Sequence, residues 1–451
     1  MNNVTIEAFP DEIETTMQAA WWKPLAVKFG REVFAYIVTE TAATGSDVGT
    51  HKVKVALRNA DGSFSLGYCK LSDGTDAIYA NDLGHNQPSV AIDGLGHIWV
   101  FTSMHIDMWR VFRSARPFDV STMAQFKLLP DTTWGNSYPV LAQDNNGDVY
   151  AMVRDFPITN VTQSGQLYKF SLTERMWRRV AQLGYEFERT FYPDDLIATR
   201  DYVHILWEWG PLGAGTLRHL PSYARYDKQS GQLHSISGET LPMPQDTTAG
   251  FNFHIRELEP GEFFVENSDT ANINITGGVQ AAKLCMDGEN FIGALYRHRA
   301  QGVDGGTFGG FNVVFSTFSD GQWQHETIVD IQQFSDIQTG AALSASYTRG
   351  ETRLFFSVEI GNNTADPYQN KAWPVMARNV NGQWKYSAIT ATSYRRLLRL
   401  RNEKINGGDL LIMTTPYTTP RTMYRLVVPE NYTSDEEFAT LSALISLLRT
   451  K

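Results

Sequence analysis

Residues 84–105 read GHNQPSVAIDGLGHIWVFTSMH, and this stretch carries a complete hairpin signal. Two short apolar runs, 89–92 and 98–101, flank a turn of sequence DGLG. Two β-rich runs around a glycine-containing turn predict an antiparallel β-hairpin. The start of the first strand and the end of the second strand lie at the same end of such a hairpin. We therefore expect His85 and His105 at one edge of a sheet.

The same hairpin pattern recurs along the chain. Each copy is a strand, a turn rich in Asp, Gly or Asn, and a second strand of branched or aromatic residues. In chain order the copies are 24–38, 89–101, 139–153, 194–209, 281–296, 342–358 and 397–413. They begin about 50 to 85 residues apart, which is close to the period of propeller blades.

Several copies are followed by a second pair of strands. These pairs are 168–180, 221–236, 313–328 and 375–389. Four strands per unit and seven units predict an all-β, seven-bladed β-propeller that fills residues 1–451 as a single domain. A large β-sandwich or jelly roll would explain the strands but not their recurrence.

Two segments lie outside the repeat. Residues 237–276 form a long insertion, either the wall of a cleft or a surface excursion. The sequence Ser434-Asp435-Glu436-Glu437 reads as a capping box before an apolar-periodic run. We expect a C-terminal helix over 435–448.

Charge and composition exclude several classes of protein. A net charge of −10 argues against a broad nucleic-acid surface. No run of eighteen apolar residues is present, so no membrane span is expected. The first twenty residues lack an apolar core, which indicates either a cytoplasmic protein or a mature form without its leader. Cys69 and Cys285 form no metal-binding motif and are expected to be buried thiols.

Polar residues recur at equivalent ends of the blades. Matching Asp93 of one copy to Asp144 of the next places Tyr138 at the start of an inner strand and Arg154 at the end of the following strand. The next copy adds Tyr192. Two histidines, two tyrosines and an arginine from consecutive blades are therefore predicted to converge on one cleft.

These side chains suit the elimination of a uronic acid at its C4–O4 bond. That reaction needs a cation for the carboxylate, a base for the C5 proton and an acid for the leaving oxygen. Arginine is a forked cation that matches a carboxylate, and tyrosine and histidine carry protons. A glycosidase would use paired carboxylates instead. The acidic residues at these blade ends, Asp107, Asp155, Asp194 and Asp195, show no obvious pair.

At these residues the sequence resembles the seven-bladed propeller polysaccharide lyases, in particular the ulvan lyases. In that family a His-Asn dipeptide precedes a blade strand, as His85-Asn86 does here. A second histidine followed by an aromatic–Arg segment is matched by His105 and Trp109-Arg110. The resemblance extends over most of the chain.

The resemblance implies roles for eight residues. The implied catalytic residues are His85, Tyr138, Arg154 and His105. The implied substrate-binding residues are Tyr192, Asn86, Trp109 and Arg110. The implied reaction is β-elimination at a rhamnose–glucuronate or rhamnose–iduronate linkage, which leaves a 4,5-unsaturated uronate.

The resemblance also sets expectations for partners and location. The substrate is expected to be an acidic polysaccharide or oligosaccharide, and the protein a monomer with neither nucleic-acid nor membrane partners. The chemistry needs no cofactor, although some related proteins carry a calcium ion. Such an enzyme would be secreted or periplasmic, its leader absent from this sequence, and otherwise cytoplasmic. The alternatives are an exo-acting rhamnose–glucuronate lyase, an α-L-rhamnosidase and a glycan-binding propeller without catalysis.

Overall fold

The computed structural model describes most of the chain. The described residues are 4–14, 22–42, 44, 49–80, 87–128, 135–156, 163–211, 218–248, 250, 253–264, 277–303, 309–361, 370–395, 399–415, 420–434 and 436–451. His85 and Asn86 lie outside them, as do parts of the insertion. The chain divides into two compact units, the first of residues 1–10, 206–223 and 249–451 and the second of residues 11–205 and 224–248.

The regular secondary structure of the described residues is almost entirely β-strand. The strands are β1 Thr5–Ala8, β2 Leu25–Lys28, β3 Arg31–Thr41, β4 Thr50–Arg58, β5 Phe64–Tyr68, β6 Ile78–Tyr79, β7 Ser89–Ile92, β8 Ile98–Phe101, β9 His105–Asp107, β10 Val111–Ser114, β11 Met123–Gln125, β12 Asn136–Gln143, β13 Val149–Asp155, β14 Ser164–Ser171, β15 Met176–Gly184 and β16 Arg189–Ala198. They continue with β17 Tyr202–Pro211, β18 His219–Asp227, β19 Leu233–His234, β20 Thr240–Leu241, β21 Gly278–Asp287, β22 Asn290–Arg299, β23 Asn312–Ser319, β24 Gln322–Val329, β25 Ile337–Thr348, β26 Glu351–Ile360, β27 Lys371–Val380, β28 Gln383–Ala388, β29 Tyr394–Arg395, β30 Arg399–Ile405, β31 Gly408–Thr415 and β32 Thr422–Pro429. Two 3₁₀ turns, Val120–Thr122 and Ile331–Gln333, and one α-helix, α1 Leu441–Leu448, complete the described elements.

The strands form seven sheets, which are the blades of a seven-bladed β-propeller. In strand order they are blade 1 (β2-β3-β4-β5, with β6 on β4), blade 2 (β7-β8-β10-β11), blade 3 (β9-β12-β13-β14-β15), blade 4 (β16 to β20), blade 5 (β21 to β24), blade 6 (β25 to β28, with β29 on β27) and blade 7 (β30-β31-β32-β1). The predicted fold class is therefore confirmed. Within the described residues, no helix is both long and apolar enough to cross a membrane.

All seven hairpins predicted from the repeat are present as neighbouring strands within blades. The hairpin of blade 2 shows why the pattern works. The Asp93 carboxylate accepts hydrogen bonds from the backbone N–H groups of Leu95 (2.9 Å) and His97 (3.0 Å) and from the indole of Trp99 (3.0 Å). Gly96 has φ +83°, a conformation that glycine adopts at no steric cost. This aspartate thus closes the turn and anchors a core tryptophan.

Inner strands of the second unit are joined by buried polar side chains. Ser89 accepts a hydrogen bond from the Lys23 backbone (3.0 Å) and donates one to the Pro139 carbonyl (2.6 Å). Gln143 accepts from the Ile92 N–H and donates to the Val27 carbonyl, both at 2.7 Å. These bridges fix blades 1, 2 and 3 against each other and so fix the positions of residues at the blade ends.

Trp109 lies in an aromatic cluster between blades 2 and 3. This side chain is 4 % exposed, and its ring centroid lies 4.7 Å from that of Tyr168 and 5.0 Å from that of Phe101. Trp177 packs on the same rings. Trp109 therefore packs in the core between these rings, and its contact with substrate stays a prediction.

The C-terminal helix is shorter than predicted. It begins at Leu441, with the Thr440 hydroxyl accepting a hydrogen bond from the Ala443 N–H (3.3 Å). The residues before it serve blade 6 instead. Glu437 accepts a hydrogen bond from Arg378 at 2.6 Å, and Phe438 pairs with the backbone of Tyr386. The predicted capping box therefore does not start the helix, because Thr440 is its N-cap and Glu437 contacts blade 6.

The insertion begins later than predicted. Strand β20 extends blade 4, and Gln245 then exchanges backbone hydrogen bonds with Leu183 and Tyr185 at 2.9 and 2.8 Å. Residues 253–264 follow a separate course, pairing with β18 through Ser222 and His254. Cys69 and Cys285 are buried free thiols, as expected.

Candidate active site

The inner strand of blade 3 departs from regular geometry at the predicted catalytic tyrosine. Ser137 pairs with Arg154 and Val140 with Met152, so two residues on β12 oppose one on β13. Tyr138, inside this β-bulge, has φ +55°. A residue other than glycine pays a steric penalty at such a positive φ. Bulges of this kind redirect side chains near functional sites.

Tyr138 lies in an aromatic cluster with residues from other strands. Its ring centroid is 5.5 Å from that of Trp22, 5.9 Å from that of Tyr192 and 5.9 Å from that of His105. Tyr138 is 8 % exposed and Tyr192 is 4 % exposed. The structure therefore brings together three of the predicted residues, and Trp22 joins them.

Arg154 completes this group. Its guanidinium carbon lies 4.2 Å from the ring centroid of Tyr138 and 5.2 Å from that of Tyr192. The side chain is 1 % exposed. Its Nε and Nη1 atoms have no hydrogen-bond partner among the described residues. A buried cation with unpaired donors is costly unless a ligand supplies acceptors, so this arrangement is suited to an anion.

His105 reaches the site by an unexpected route. The predicted hairpin of blade 2 ends at Phe101, and His105 begins a separate strand, β9, that pairs with β12 of blade 3. The Ile106 N–H donates to the Ser137 hydroxyl at 2.7 Å. His105 therefore lies beside the bulge in β12. Its predicted partner at the sheet edge, His85, is outside the described residues, as is Asn86.

Arg110 supports β9 and has its donors occupied. It contacts the Asp107 carboxylate and the Ser103 carbonyl, and its guanidinium carbon lies 4.2 Å from the ring centroid of Tyr79. We expected Arg110 to bind substrate. These contacts hold its guanidinium beside β9, and its role in binding substrate stays a prediction.

A buried histidine extends this support. His51 is hydrogen-bonded through Nε2 to the Ser103 hydroxyl at 3.0 Å, and Ser103 has φ +54°. The pKa of His51 is lowered to about 4, chiefly by burial and in smaller part by the Arg110 charge, against the opposing influence of Glu14. His51 is therefore neutral at physiological pH, beside the turn that leads into β9.

Among the described carboxylates near the site, no two form an evident catalytic pair. Asp107 is engaged by Arg110. Asp155 follows Arg154 on β13, and neighbouring residues on a strand point to opposite faces. Burial raises the pKa of Asp155, against a smaller lowering effect of Arg179. Asp194 and Asp195 are buried in β16, the latter accepting a hydrogen bond from the Leu196 N–H at 2.9 Å.

One contributor to the site was missed in the sequence. Trp22 is 1 % exposed and packs on Tyr138 from the segment before β2. Because Trp22 lies outside every hairpin copy, it could not be aligned with the equivalent positions of other blades. The adjacent tryptophans at 21 and 22 were the available signal, since such residues outside a strand need a surface to pack on.

Solved structures confirm the fold over nearly the whole chain. The chain is similar to a polysaccharide lyase PL25 ulvan lyase, with a TM-score of 0.61, 11 % identity, and coverage of 93 % of this chain and 94 % of that one. The same lyase bound to -[GlcA(1-4)Rha3S]- gives a TM-score of 0.62 at 11 % identity, with 94 % and 96 % covered. The polysaccharide lyase Uly1 gives 0.60 at 11 % identity, with 92 % and 91 % covered.

These likenesses agree with the resemblance drawn from the sequence, at the level of fold. No curated protein matched the chain. Residues 31–330 match the profile described as a BNR repeat-containing family member. Because this match spans more than half of the chain, the protein belongs to the BNR repeat-containing family.

Proposed function

We propose that this protein is a carbohydrate-active enzyme, a lyase that cleaves a rhamnose–uronic acid linkage by β-elimination. The observation that carries the proposal is Arg154, a buried guanidinium with unpaired donors held against the rings of Tyr138 and Tyr192. A uronate carboxylate supplies the charge and the paired oxygens that such a fork binds. The bound oligosaccharide of the similar PL25 ulvan lyase contains glucuronic acid linked to sulfated rhamnose, which is a substrate of this class.

The residues divide the reaction between them. Arg154 neutralises the carboxylate, which makes the C5 proton more acidic. A base takes that proton, the electron pair forms the C4–C5 double bond, and the C4–O4 bond breaks as an acid protonates the leaving oxygen. His105, whose ring lies beside that of Tyr138, helps Arg154 to hold the carboxylate. Tyr138, beside Arg154, is a proton carrier. His85 shares this role in the proposal, and Tyr192 positions a sugar ring.

The substrate is an acidic polysaccharide, and the enzyme acts on it as a monomer outside the cytoplasm. Elimination of this kind requires no cofactor, since the guanidinium supplies the positive charge. An exo-acting rhamnose–glucuronate lyase and an α-L-rhamnosidase use the same linkage and remain the nearest alternatives. A propeller that binds glycans without catalysis is a third, because a fold alone does not determine activity.

The test incubates the protein with ulvan and, separately, with a glycan capped by rhamnose-α-1,4-glucuronate. Ultraviolet absorbance follows the conjugated 4,5-unsaturated uronate, and the released sugars are identified. Absorbance that grows with ulvan supports the proposal. Absorbance with the capped glycan alone, together with free rhamnose, indicates an exo-lyase. Rhamnose release without the chromophore indicates hydrolysis and contradicts the elimination, and binding without turnover indicates a binding module.

A further inference from the structure

A second polar cluster lies in the unit formed by residues 1–10, 206–223 and 249–451. It consists of Glu259, Glu262 and His298, and one donor atom of each lies within 4.8 Å of the others. The two glutamates come from segment 253–264, which follows the start of the insertion, and the histidine comes from β22 of blade 5. No role in the proposed elimination involves these residues.

His298 has an unused nitrogen at the centre of this cluster. The residue is 5 % exposed, and its Nε2 atom has no hydrogen-bond partner among the described residues. That atom lies 3.5 Å from Glu259 Oε1. Two ligand atoms that are each about 2.1 Å from a tetrahedral zinc ion lie about 3.4 Å apart. The pair therefore already has the spacing of two ligands on one ion.

Glu262 is held in place by groups around the cluster. Its side chain is 4 % exposed, and Oε1 is hydrogen-bonded to Nδ1 of His219. Its Oε2 atom accepts a hydrogen bond from the Glu259 N–H at 2.9 Å. Hydrogen bonds of this kind orient metal-binding carboxylates in proteins. His219 thus has the position of an outer residue that orients a ligand.

The charges of the cluster favour a cation. The carboxylates of Glu259 and Glu262 are accompanied by one guanidinium, that of Arg256, which contacts Glu259. The second carboxylate charge is left beside the Nε2 atom of His298. Calcium prefers a shell of oxygen atoms, whereas zinc binds imidazole and carboxylate together. The donor set therefore favours zinc over the calcium ion that the resemblance suggested.

We propose that Glu259, Glu262 and His298 bind a zinc ion that fastens segment 253–264 to blade 5. A cavity of about 410 Å³ adjoins the cluster and is lined by Glu259, Trp323 and His325, among other residues. Water from this cavity supplies the fourth ligand. The ion adds a second attachment for this segment, whose residue His254 already pairs with Ser222 of β18.

Direct metal binding tests the proposal without any assay of activity. The full-length protein is stripped with a chelator, dialysed, and titrated by calorimetry with Zn²⁺ and separately with Ca²⁺. We expect one Zn²⁺ per chain, weaker binding of Ca²⁺, and a rise in melting temperature with Zn²⁺ that the chelator reverses. Binding of Co²⁺ should give the intense visible absorption of a tetrahedral ion.

Substitutions locate the ion. We expect Glu262→Gln and His298→Asn to weaken Zn²⁺ affinity by more than about 100-fold, because loss of an outer residue alone costs about 10- to 100-fold. His219→Asn should fall within that smaller range. The matched control is His234→Asn, which removes a histidine that is 4.0 Å from Asp227 and has no part in the cluster. Glu259→Gln alters a partly exposed ligand and serves if the buried variants fail to fold.

The proposal fails if the protein shows no saturable Zn²⁺ binding, or if the cluster variants bind Zn²⁺ as tightly as the control. Tighter binding of Ca²⁺ than of Zn²⁺ also contradicts it. These outcomes are independent of the elimination assay, because the cluster shares no residue with the candidate active site. Failure of the elimination assay would leave the zinc proposal intact, and failure of Zn²⁺ binding would leave the proposed elimination intact.

Discussion

Blades 3 and 5 have the same β-bulge in their inner strands, but different side chains surround it. In blade 5, Gln280 pairs with Arg297 and Lys283 with Leu295, which reproduces the bulge of blade 3. Ala281 has φ +61° where Tyr138 has φ +55°. Arg297 is therefore the structural equivalent of Arg154.

The two arginines differ in what surrounds them. Arg297 donates a hydrogen bond to Gln280 Oε1 at 3.2 Å and lies 4.3 Å from the Phe311 ring centroid. Arg154 faces Ser137 and two tyrosine rings, and it has unpaired donors. Gln280 accepts from Nη1 of Arg297, which leaves Nε of that arginine without a partner among the described residues, whereas both Nε and Nη1 of Arg154 lack one. The repeat thus supplies one scaffold, and neighbouring side chains decide whether the cation is structural or available to a ligand.

Exchanging each arginine for lysine should separate these roles most clearly. We expect Arg154→Lys to lower kcat/KM by about 10³-fold, because lysine keeps the charge but loses the fork that binds a carboxylate. Arg297→Lys is the matched control and should leave turnover nearly unchanged. Steady-state kinetics on the cleaved glycan measure both. Equal losses in the two variants would contradict the comparison.

The residue inside the bulge offers the next test. We expect Tyr138→Phe to lower kcat by about 10²- to 10³-fold, since proton transfer by one positioned group contributes roughly that much. The ring and its contact with Arg154 are kept, so substrate binding should persist. Tyr138→Ala reproduces the residue of blade 5 and should abolish turnover. A Tyr138→Phe enzyme with normal kcat would remove Tyr138 from the proton transfer.

Acid should weaken the region that supports β9. The pKa of His51 is about 4 in the folded protein, lower than the value of about 6.5 expected when unfolded. The unfolded state therefore binds the proton first, so stability is retained above pH 6.5 and lost as the pH falls towards 4. The loss is about 3 kcal/mol for one such histidine.

Urea unfolding at a series of pH values measures this effect. His51→Gln keeps a hydrogen-bonding side chain next to Ser103 but cannot be charged, so its stability should vary less between pH 6.5 and 4. His234→Gln removes a half-buried histidine elsewhere and controls for the loss of a titratable group. Identical pH profiles for His51→Gln and the unaltered protein would show that His51 does not control the acid response.

Replacing each arginine with methionine should change the free energy of unfolding in opposite directions, and this effect is smaller than those above. We expect Arg154→Met to raise the free energy of unfolding by about 1–2 kcal/mol, because it replaces a buried charge that has unpaired donors. Arg297→Met should lower it by a similar amount, since Gln280 then loses its partner. Denaturant midpoints measure both. A loss of stability in Arg154→Met would show that the arginine is held by contacts stronger than its two ring partners.

The sequence predicts the fold well because each blade begins with local information. A hairpin is specified by an alternating run and a turn residue such as Asp93, all within fifteen residues. Strand β1 escaped prediction because four residues specify it and its partner, β32, is more than four hundred positions away. The sequence places His105 at the end of the blade 2 hairpin, whereas its strand β9 pairs with β12 of blade 3. A strand of three residues carries too little sequence pattern to show which neighbouring strand it pairs with.

The site is less predictable than the fold. Superposing the repeats identified Arg154 and Tyr138, because equivalent positions in blades are equivalent in space. The same logic would select Arg297, and only the surrounding side chains, Gln280 and Phe311 in place of Ser137 and two tyrosines, distinguish the two arginines. The cluster of Glu259, Glu262 and His298 joins segments that belong to no common repeat, so spacing in the sequence carries no trace of it.

The pairing of β1 with β32 has a consequence for the timing of folding. Residues 5–8 add to the edge of β32, whose residues 422–429 are made more than four hundred residues later. At synthesis rates of 5–20 residues per second, this strand waits about 20 to 80 seconds for its partner. Until then, blade 7 is incomplete and a short edge strand stays unpaired. The newborn chain therefore has an interval in which a chaperone, or another copy of the same chain, competes for that strand.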